Sequence, residues 1–333
     1  MKKIINQPED SLAEFMRGFS KAYHDVVALH EEPLHFSRAG GATSGKVGVI
    51  SGGGSGHEPL GGGYVGVGML DAAAPGQYFS SPTPGQIHAA TNSAHGGAGV
   101  LHVVLNYTGD VLNFESGAEL AEFDDIEVST VILDDDVAVE DSTFTAGRRA
   151  VAGSIVAMKV IGAAAERGDD LAKVTEIAKK TNDAMATMGL ALTPCIVPTQ
   201  GEPSFELGPD ELELGIGVHG EPGVRRVSMM PADDITDALL DAVVKDLELS
   251  SGEDVLLFIN GLGATPLSEQ YIMYNRASDR LEAMGVNITR SLVGNYFTSL
   301  EMAGASLTVM RLDDDLTSLF DAPVHTAGWR AGM

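Results

Sequence analysis

The chain is poor in thiols, aromatic rings and positive charge. Of its 333 residues only Cys195 is a cysteine, so it can form neither an internal disulfide nor a cysteine-based metal cage. Its surroundings, TPCIVPT, carry no thiol-enzyme signature, and a buried strand residue is expected there. Aromatics make up 6% of the chain, against 44% hydrophobic residues and 40 glycines. That balance fits a glycine-turned α/β enzyme better than an aromatic-rich barrel or sandwich. No run approaches the roughly 18 consecutive apolar residues of a membrane-spanning helix. The opening MKKIINQPEDSLAEF has two lysines with no apolar stretch behind them, so no signal peptide is expected and the protein reads as soluble and cytoplasmic. Basic residues number 21 against 47 acidic ones, a formal net charge of −26. Such a surface repels nucleic acid and excludes that class of partner. Its self-repulsion destabilises a compact state in dilute salt, and molar salt relieves it by shrinking the screening length to about 3 Å. A salt-rich cytoplasm, as in halophiles, is the resulting expectation.

What is present alternates. Residues 9 to 29 carry Leu12, Phe15, Met16, Phe19 and Tyr23 at helical spacing, with Asp10 or Ser11 able to cap and Glu14 three residues after Ser11. A buried strand, Val47 to Ser51, breaks into a glycine-rich loop; β-branched runs at 99 to 106 and 126 to 136 read as two further strands. Helices are expected over 146 to 167, closed by Gly168, and over 172 to 190. After a proline-rich crossing, the strand ELELGIGV, a helix at 235 to 247, the strand VLLFINGLG, a helix at 267 to 284 and the strands VNITRSLVGNYF and SLTVMRL complete the order. This alternation implies an α/β protein of two open-sheet domains, 1–190 and 191–333, with mostly parallel sheets and helices on both faces.

Two glycine motifs resemble nucleotide loops and fail as such. Gly40 to Lys46 has the G-x-x-x-x-G-K spacing, but Val47 stands where magnesium coordination needs Ser or Thr, and the strand follows the loop instead of preceding it. A surface turn is expected. Gly52-Gly53-Gly54-Ser55-Gly56-His57 does follow a strand, yet His57 occupies the place of the third glycine of a dinucleotide fingerprint, which removes a nicotinamide oxidoreductase. Glycine this dense still lets backbone pass close to a ligand, and its N–H groups can cradle oxygen. His219, in Val218-His219-Gly220-Glu221-Pro222-Gly223, is expected at the exposed carboxyl edge of a sheet. Imidazole there suits proton transfer, metal ligation or attack on a carbonyl, and no zinc-type H-x-x-x-H pair supports the second. Asp110, expected in a turn after the second strand, can orient or deprotonate a hydroxyl, or cap the next helix. Asp134-Asp135-Asp136 could suggest Mg²⁺, but read as strand they point to alternating faces and converge on one ion only if the backbone there is irregular.

Together these residues resemble the substrate-binding K subunit of dihydroxyacetone kinase, the DhaK family, over almost the full chain. The matching segments are SGGGSGHEP at 51 to 59, FSSPTP at 79 to 84, NYTGDVLNFE at 106 to 115 and DDDVAV at 134 to 139. TAGRR at 145 to 149, GAAAERGD at 162 to 169, GVHGEPG at 217 to 223, NGLGATPLSE at 260 to 269 and DAPVHT at 321 to 326 continue the series. The resemblance implies that His219 attacks the ketone carbon to form a hemiaminal, which separates dihydroxyacetone from glycerol. It implies that Asp110 and His57 are the acid/base pair and that Gly54, Ser55 and Gly56 line the substrate through backbone groups. The other motifs are expected to be structural or docking surface. No cofactor or metal is expected on this chain. By the same resemblance, ADP/ATP and Mg²⁺ sit on a separate nucleotide-binding L subunit, recharged by a phosphotransferase-system M subunit, and the K subunit is a homodimer of glycerol metabolism. Single-chain members continue into a helical nucleotide domain, and no such domain is expected in these 333 residues. Leu105 departs from the pattern, since many relatives have lysine before NYTGD. That keeps an alternative: a catalytically silent paralogue that binds dihydroxyacetone and coactivates a transcription regulator.

Overall fold

A computed structural model describes residues 2–139 and 145–332. Two six-stranded sheets dominate it. The first comprises β1 (Val27–Glu31), β2 (Leu34–Arg38), β3 (Gly48–Ser55), β5 (Ala72–Tyr78), β6 (Val100–Leu105) and β7 (Val128–Leu133), ordered β1-β2-β5-β3-β6-β7. The second comprises β8 (Met185–Ala191), β9 (Glu211–Leu214), β10 (Arg225–Ser228), β11 (Asp254–Gly261), β12 (Asn287–Gly294) and β13 (Gly304–Arg311), ordered β10-β9-β8-β13-β11-β12. A small third sheet joins β4 (Gly66–Val67) to β14 (Val324–Thr326) and β15 (Arg330–Ala331), so the C-terminal segment returns to the first half of the chain.

The α/β class is as expected, but the parallel expectation holds for one sheet only. β5, β3, β6 and β7 run parallel. In the second sheet every pairing is antiparallel except β11 with β12. Consecutive β8, β9 and β10 are joined without helices, and connections of that kind favour antiparallel neighbours.

Helices α2 (Pro84–Ala94) and α3 (Thr108–Glu122) cover one face of the first sheet, burying Ile87, Ala90 and Phe114 against Ile50 and Val104. On the second sheet α6 (Ala232–Leu247) and α7 (Leu267–Ala283) bury Leu239, Leu240 and Leu281 against Leu257 and Ile259. Between the sheets lies α4 (Gly153–Arg167), buried along every residue from Gly153 to Ala165. A helix apolar all round is one with no solvent face. The core around it draws Val103 and Leu133 from the first sheet and Phe258 and Met310 from the second.

Several local expectations shift. The first helix, α1 (Ser11–Ala22), stops well before residue 29 because Val27–Glu31 becomes β1. Asp10 is its N-cap, and Ser11 donates to Pro8 O instead of forming a capping box. The helix expected over 172 to 190 is two elements, α5 (Leu171–Asp183) and β8. MATMGLA is rich in helix formers, but pairing Met185 to Ala191 with β13 overrides that preference. The boundary expected near residue 190 therefore falls inside β8. Asp134 to Asp136 lie beyond β7: Asp135 accepts the Val151 and Gly153 N–H groups, and Asp136 pairs with the fully buried Arg149. Cys195 is buried but in a loop. Gly40 to Gly45 form an exposed turn, whereas Lys46 is buried on Asp71 at 2.6 Å. The last helix, α8 (Asp314–Asp321), packs on α4, whose Lys159 donates to Leu319 O.

Candidate active site

Strand β3 has β5 on one side and β6 on the other, so the chain's crossovers leave it in opposite directions. That reversal opens a crevice beyond the carboxyl ends of the strands, where open α/β sheets bind ligands. A cleft of about 520 Å³ lies there. Gly54, Phe79, Ser80, Ser81 and Tyr107 to Asp110 form one wall; Val197, Gln200, Ser204 and His219 form the other.

His219 sits in a turn between β9 and β10, five residues past the end of β9, not at a strand end. Glu221 holds it twice: Oε1 lies 2.7 Å from the ring Nδ1, and Oε2 accepts the His219 backbone N–H at 2.9 Å. The Glu221 side chain is 2% exposed. Burial works to raise its carboxyl, but the His219 ring and these hydrogen bonds prevail and hold it at about 2. Tyr107, Phe79 and His57 surround the imidazole with centroids at 4.9, 5.2 and 4.8 Å. From below, Arg149 bonds Asp136 and Gly215 O, at 2.7 Å each, and so fixes the root of the loop.

His57 is 3% exposed and stands behind the cleft wall, stacked on Phe79. Its Nδ1 lies 2.8 Å from the Thr298 carbonyl, which can only accept, so Nδ1 carries the proton. Nε2 is buried and unpartnered. Burial, and then the neighbouring His219, push this imidazole down to about 3, so it is neutral at ordinary pH with a free lone pair.

Asp110 belongs to the first turn of α3, not to a turn ahead of it. Burial raises its carboxyl to about 6, opposed by a hydrogen bond from Ser81 and by His219. Its Oδ1 is buried with no partner, a polar atom turned to nothing in the chain. Such an atom in a cleft marks a place where a ligand hydroxyl fits.

The glycine loop divides. Gly54 is in the wall, and a Cβ there would stand 2.7 Å from Ser80 N and 2.8 Å from Phe79 Cα, so only glycine allows the approach. The Ser55 hydroxyl is taken by Gly76 O at 2.7 Å and the Gly56 N–H by Glu58 at 2.9 Å, so neither group is free for a ligand. Leu105 is 3% exposed and belongs to the core beneath the loop, outside the cleft lining. Sequence reading missed Glu221, Tyr107, Phe79 and Ser81 as site residues. The last two belong to FSSPTP, whose Thr83 and Pro84 go on to cap and start α2. The signal for Glu221 was its place two residues after the histidine. Among the described residues no group of three His, Cys, Asp or Glu side chains is arranged for a metal, and no helix is long and apolar enough to cross a membrane.

Comparison with known proteins gives a consistent picture. The model of the Dak1 domain family matches residues 17–328. The chain is 48% identical to the Listeria innocua PTS-dependent dihydroxyacetone kinase 1, dihydroxyacetone-binding subunit DhaK, covering 99% of this chain and 100% of that one. The dihydroxyacetone kinase of C. freundii superposes with a TM-score of 0.88 at 31% identity, over 99% of this chain and 60% of that one. A dihydroxyacetone kinase operon co-activator, Dha-DhaQ, superposes with a TM-score of 0.90 at 31% identity, over 98% of this chain and all of that one.

Proposed function

Because this chain belongs to the Dak1 family, as a subunit of dihydroxyacetone kinase, we propose that it holds dihydroxyacetone as a hemiaminal on His219 while a separate L subunit donates the phosphoryl group. The observation that carries this reading is the meeting, in one cleft, of His219 from the second sheet with Asp110 from the first, whose Oδ1 is unpartnered.

The His219 Nε2 lone pair forms the bond to the ketone carbon, and the carbonyl electron pair moves to oxygen, which takes up a proton. Glycerol, lacking the carbonyl, cannot be held in this way. Asp110, with a carboxyl near 6, is ionised at neutral pH yet basic enough to accept the hydroxyl proton as that oxygen attacks phosphorus. Neutral His57 accepts a hydrogen bond at Nε2 and completes the acid/base pair. Gly54 supplies close backbone approach, with Ser55 and Gly56 shaping the loop behind it. ADP/ATP and Mg²⁺ belong to the L subunit in this reading, recharged through a phosphotransferase-system M subunit, as the "PTS-dependent" name of the Listeria relative supports. The K subunit works as a cytoplasmic homodimer.

A second reading is favoured by the co-activator likeness and by Leu105: a silent paralogue that binds the ketose and signals to a transcription regulator. Turnover with a cognate L subunit separates the two.

Carbon NMR with dihydroxyacetone labelled at its carbonyl carbon tests the anchor. The bound signal is expected in the hemiaminal region, and absent in His219→Ala. A signal that stays at the ketone position removes the covalent model.

A further inference from the structure

We propose that Glu221 is a positioning residue that sets the tautomer of His219, and that without its carboxylate the imidazole points a proton, not a lone pair, into the cleft. The inference rests on the reading of His219 as the ketone's nucleophile.

A histidine attacks through a bare nitrogen, and which nitrogen is bare depends on what the other one meets. Glu221 meets Nδ1 with Oε1 at 2.7 Å, while Oε2 takes the His219 backbone N–H at 2.9 Å. An ionised carboxylate only accepts, so Nδ1 must carry the proton and Nε2 is left bare. The carboxyl is held near 2, which keeps it ionised at every pH the protein meets in use. Gly217 makes this seat possible: a Cβ there would stand 2.0 Å from Oε2. When Nε2 bonds to carbon the ring becomes cationic. The carboxylate then stabilises that charge, and the adduct becomes neutral when the Nδ1 proton leaves. The net change is addition of N–H across C=O, with no redox partner required.

The geometry makes Glu221→Gln informative. The backbone N–H is an obligate donor, so the amide oxygen must turn toward it. The amide NH₂ then faces Nδ1, which becomes an acceptor, and the ring proton moves to Nε2. The variant is isosteric, yet its nucleophile is blocked. Loss of an orienting partner commonly costs 10- to 100-fold, and a forced wrong tautomer costs more, so affinity for the ketose should fall by about 100-fold or more.

Long-range proton–nitrogen correlations on ¹⁵N-histidine protein without substrate read the tautomer, and carbonyl-labelled dihydroxyacetone reads the adduct. Support is the Nδ1–H pattern in the parent, the Nε2–H pattern in Glu221→Gln, and loss of the adduct signal in that variant alone. Glu221→Asp, which keeps two acceptors, should retain Nδ1–H and bind within about 10-fold of the parent. Persistence of Nδ1–H in Glu221→Gln, or an unweakened adduct there, overturns the proposal. Equal loss in Glu221→Asp and Glu221→Gln also overturns it, reassigning Glu221 to packing. A parent that forms no adduct sinks the covalent reading instead, while the tautomer patterns still decide the role of Glu221.

Discussion

At the scale of single residues the cleft moves ionisable groups away from the pH at which they titrate in water. Asp110 is the clearest. Its folded value near 6 lies above its ordinary 3.8, so between about pH 4 and 6 the native state binds the proton and the unfolded state does not. Stability therefore falls as pH rises through that window. Asp110→Asn should stabilise the protein at pH 7 by as much as about 3 kcal/mol, a gain that vanishes below about pH 4. Ketose binding should survive while turnover with the L subunit is lost. Denaturant melts at pH 4 and 7 with single-turnover assays check both halves, and a normal rate would clear Asp110 of base duty. In the parent, the acid limb of turnover should fall near pH 6, because neutral His57 contributes no titration there. His57 and His219 drew notice in the sequence because each stands beside a glycine-rich break, whereas Asp110, with Gly109 alone beside it, read equally as a helix cap and was singled out by the family resemblance. Glu221 was not: a carboxylate two residues from a histidine reads as part of a turn until the fold shows both its oxygens committed to His219.

At the scale of elements, some long apolar runs were read correctly, the alternating ELELGIGV was read as a longer strand than β9, and composition misled where pairing decided the outcome. VLLFING became β11 and Ala232–Leu247 became α6 close to where periodicity put them. MATMGLA did not, because its strand state depends on β13, more than a hundred positions along the chain. The loop bearing His219 shows the same dependence. It is rooted on Arg149, which lies just ahead of α4, through Gly215 O and Asp136. Arg149→Met removes that root and leaves the Asp136 charge buried without its partner, which should cost about 3–5 kcal/mol. Chemical denaturation measures it. Adding Asp136→Leu should recover part of the loss, and ketose affinity should stay weakened in both because the loop is no longer held. An Arg149→Met melt matching the parent would refute this account.

At the scale of the whole molecule the charge of −26 is the dominant unexplained quantity. Many arginines are already matched to acids, as in Arg276 and Arg280 on Asp237 and Arg290 on Asp321, so the excess is carboxylate spread over the surface. Exposed pairs contribute little each, and screening acts mainly on the unpaired excess. Thermal stability should rise by several degrees from dilute to molar salt, as a calorimetric series would record; a flat series would remove the halophile expectation. The placement of α4 bears on a different property. Because both sheets pack on one helix that is buried from Gly153 to Ala165, the two cleft walls are tied to a common beam. Substrate exchange is then expected without a swing of one wall against the other, and under the proposed two-subunit reaction any sealing of the cleft during phosphoryl transfer would fall to the partner subunit.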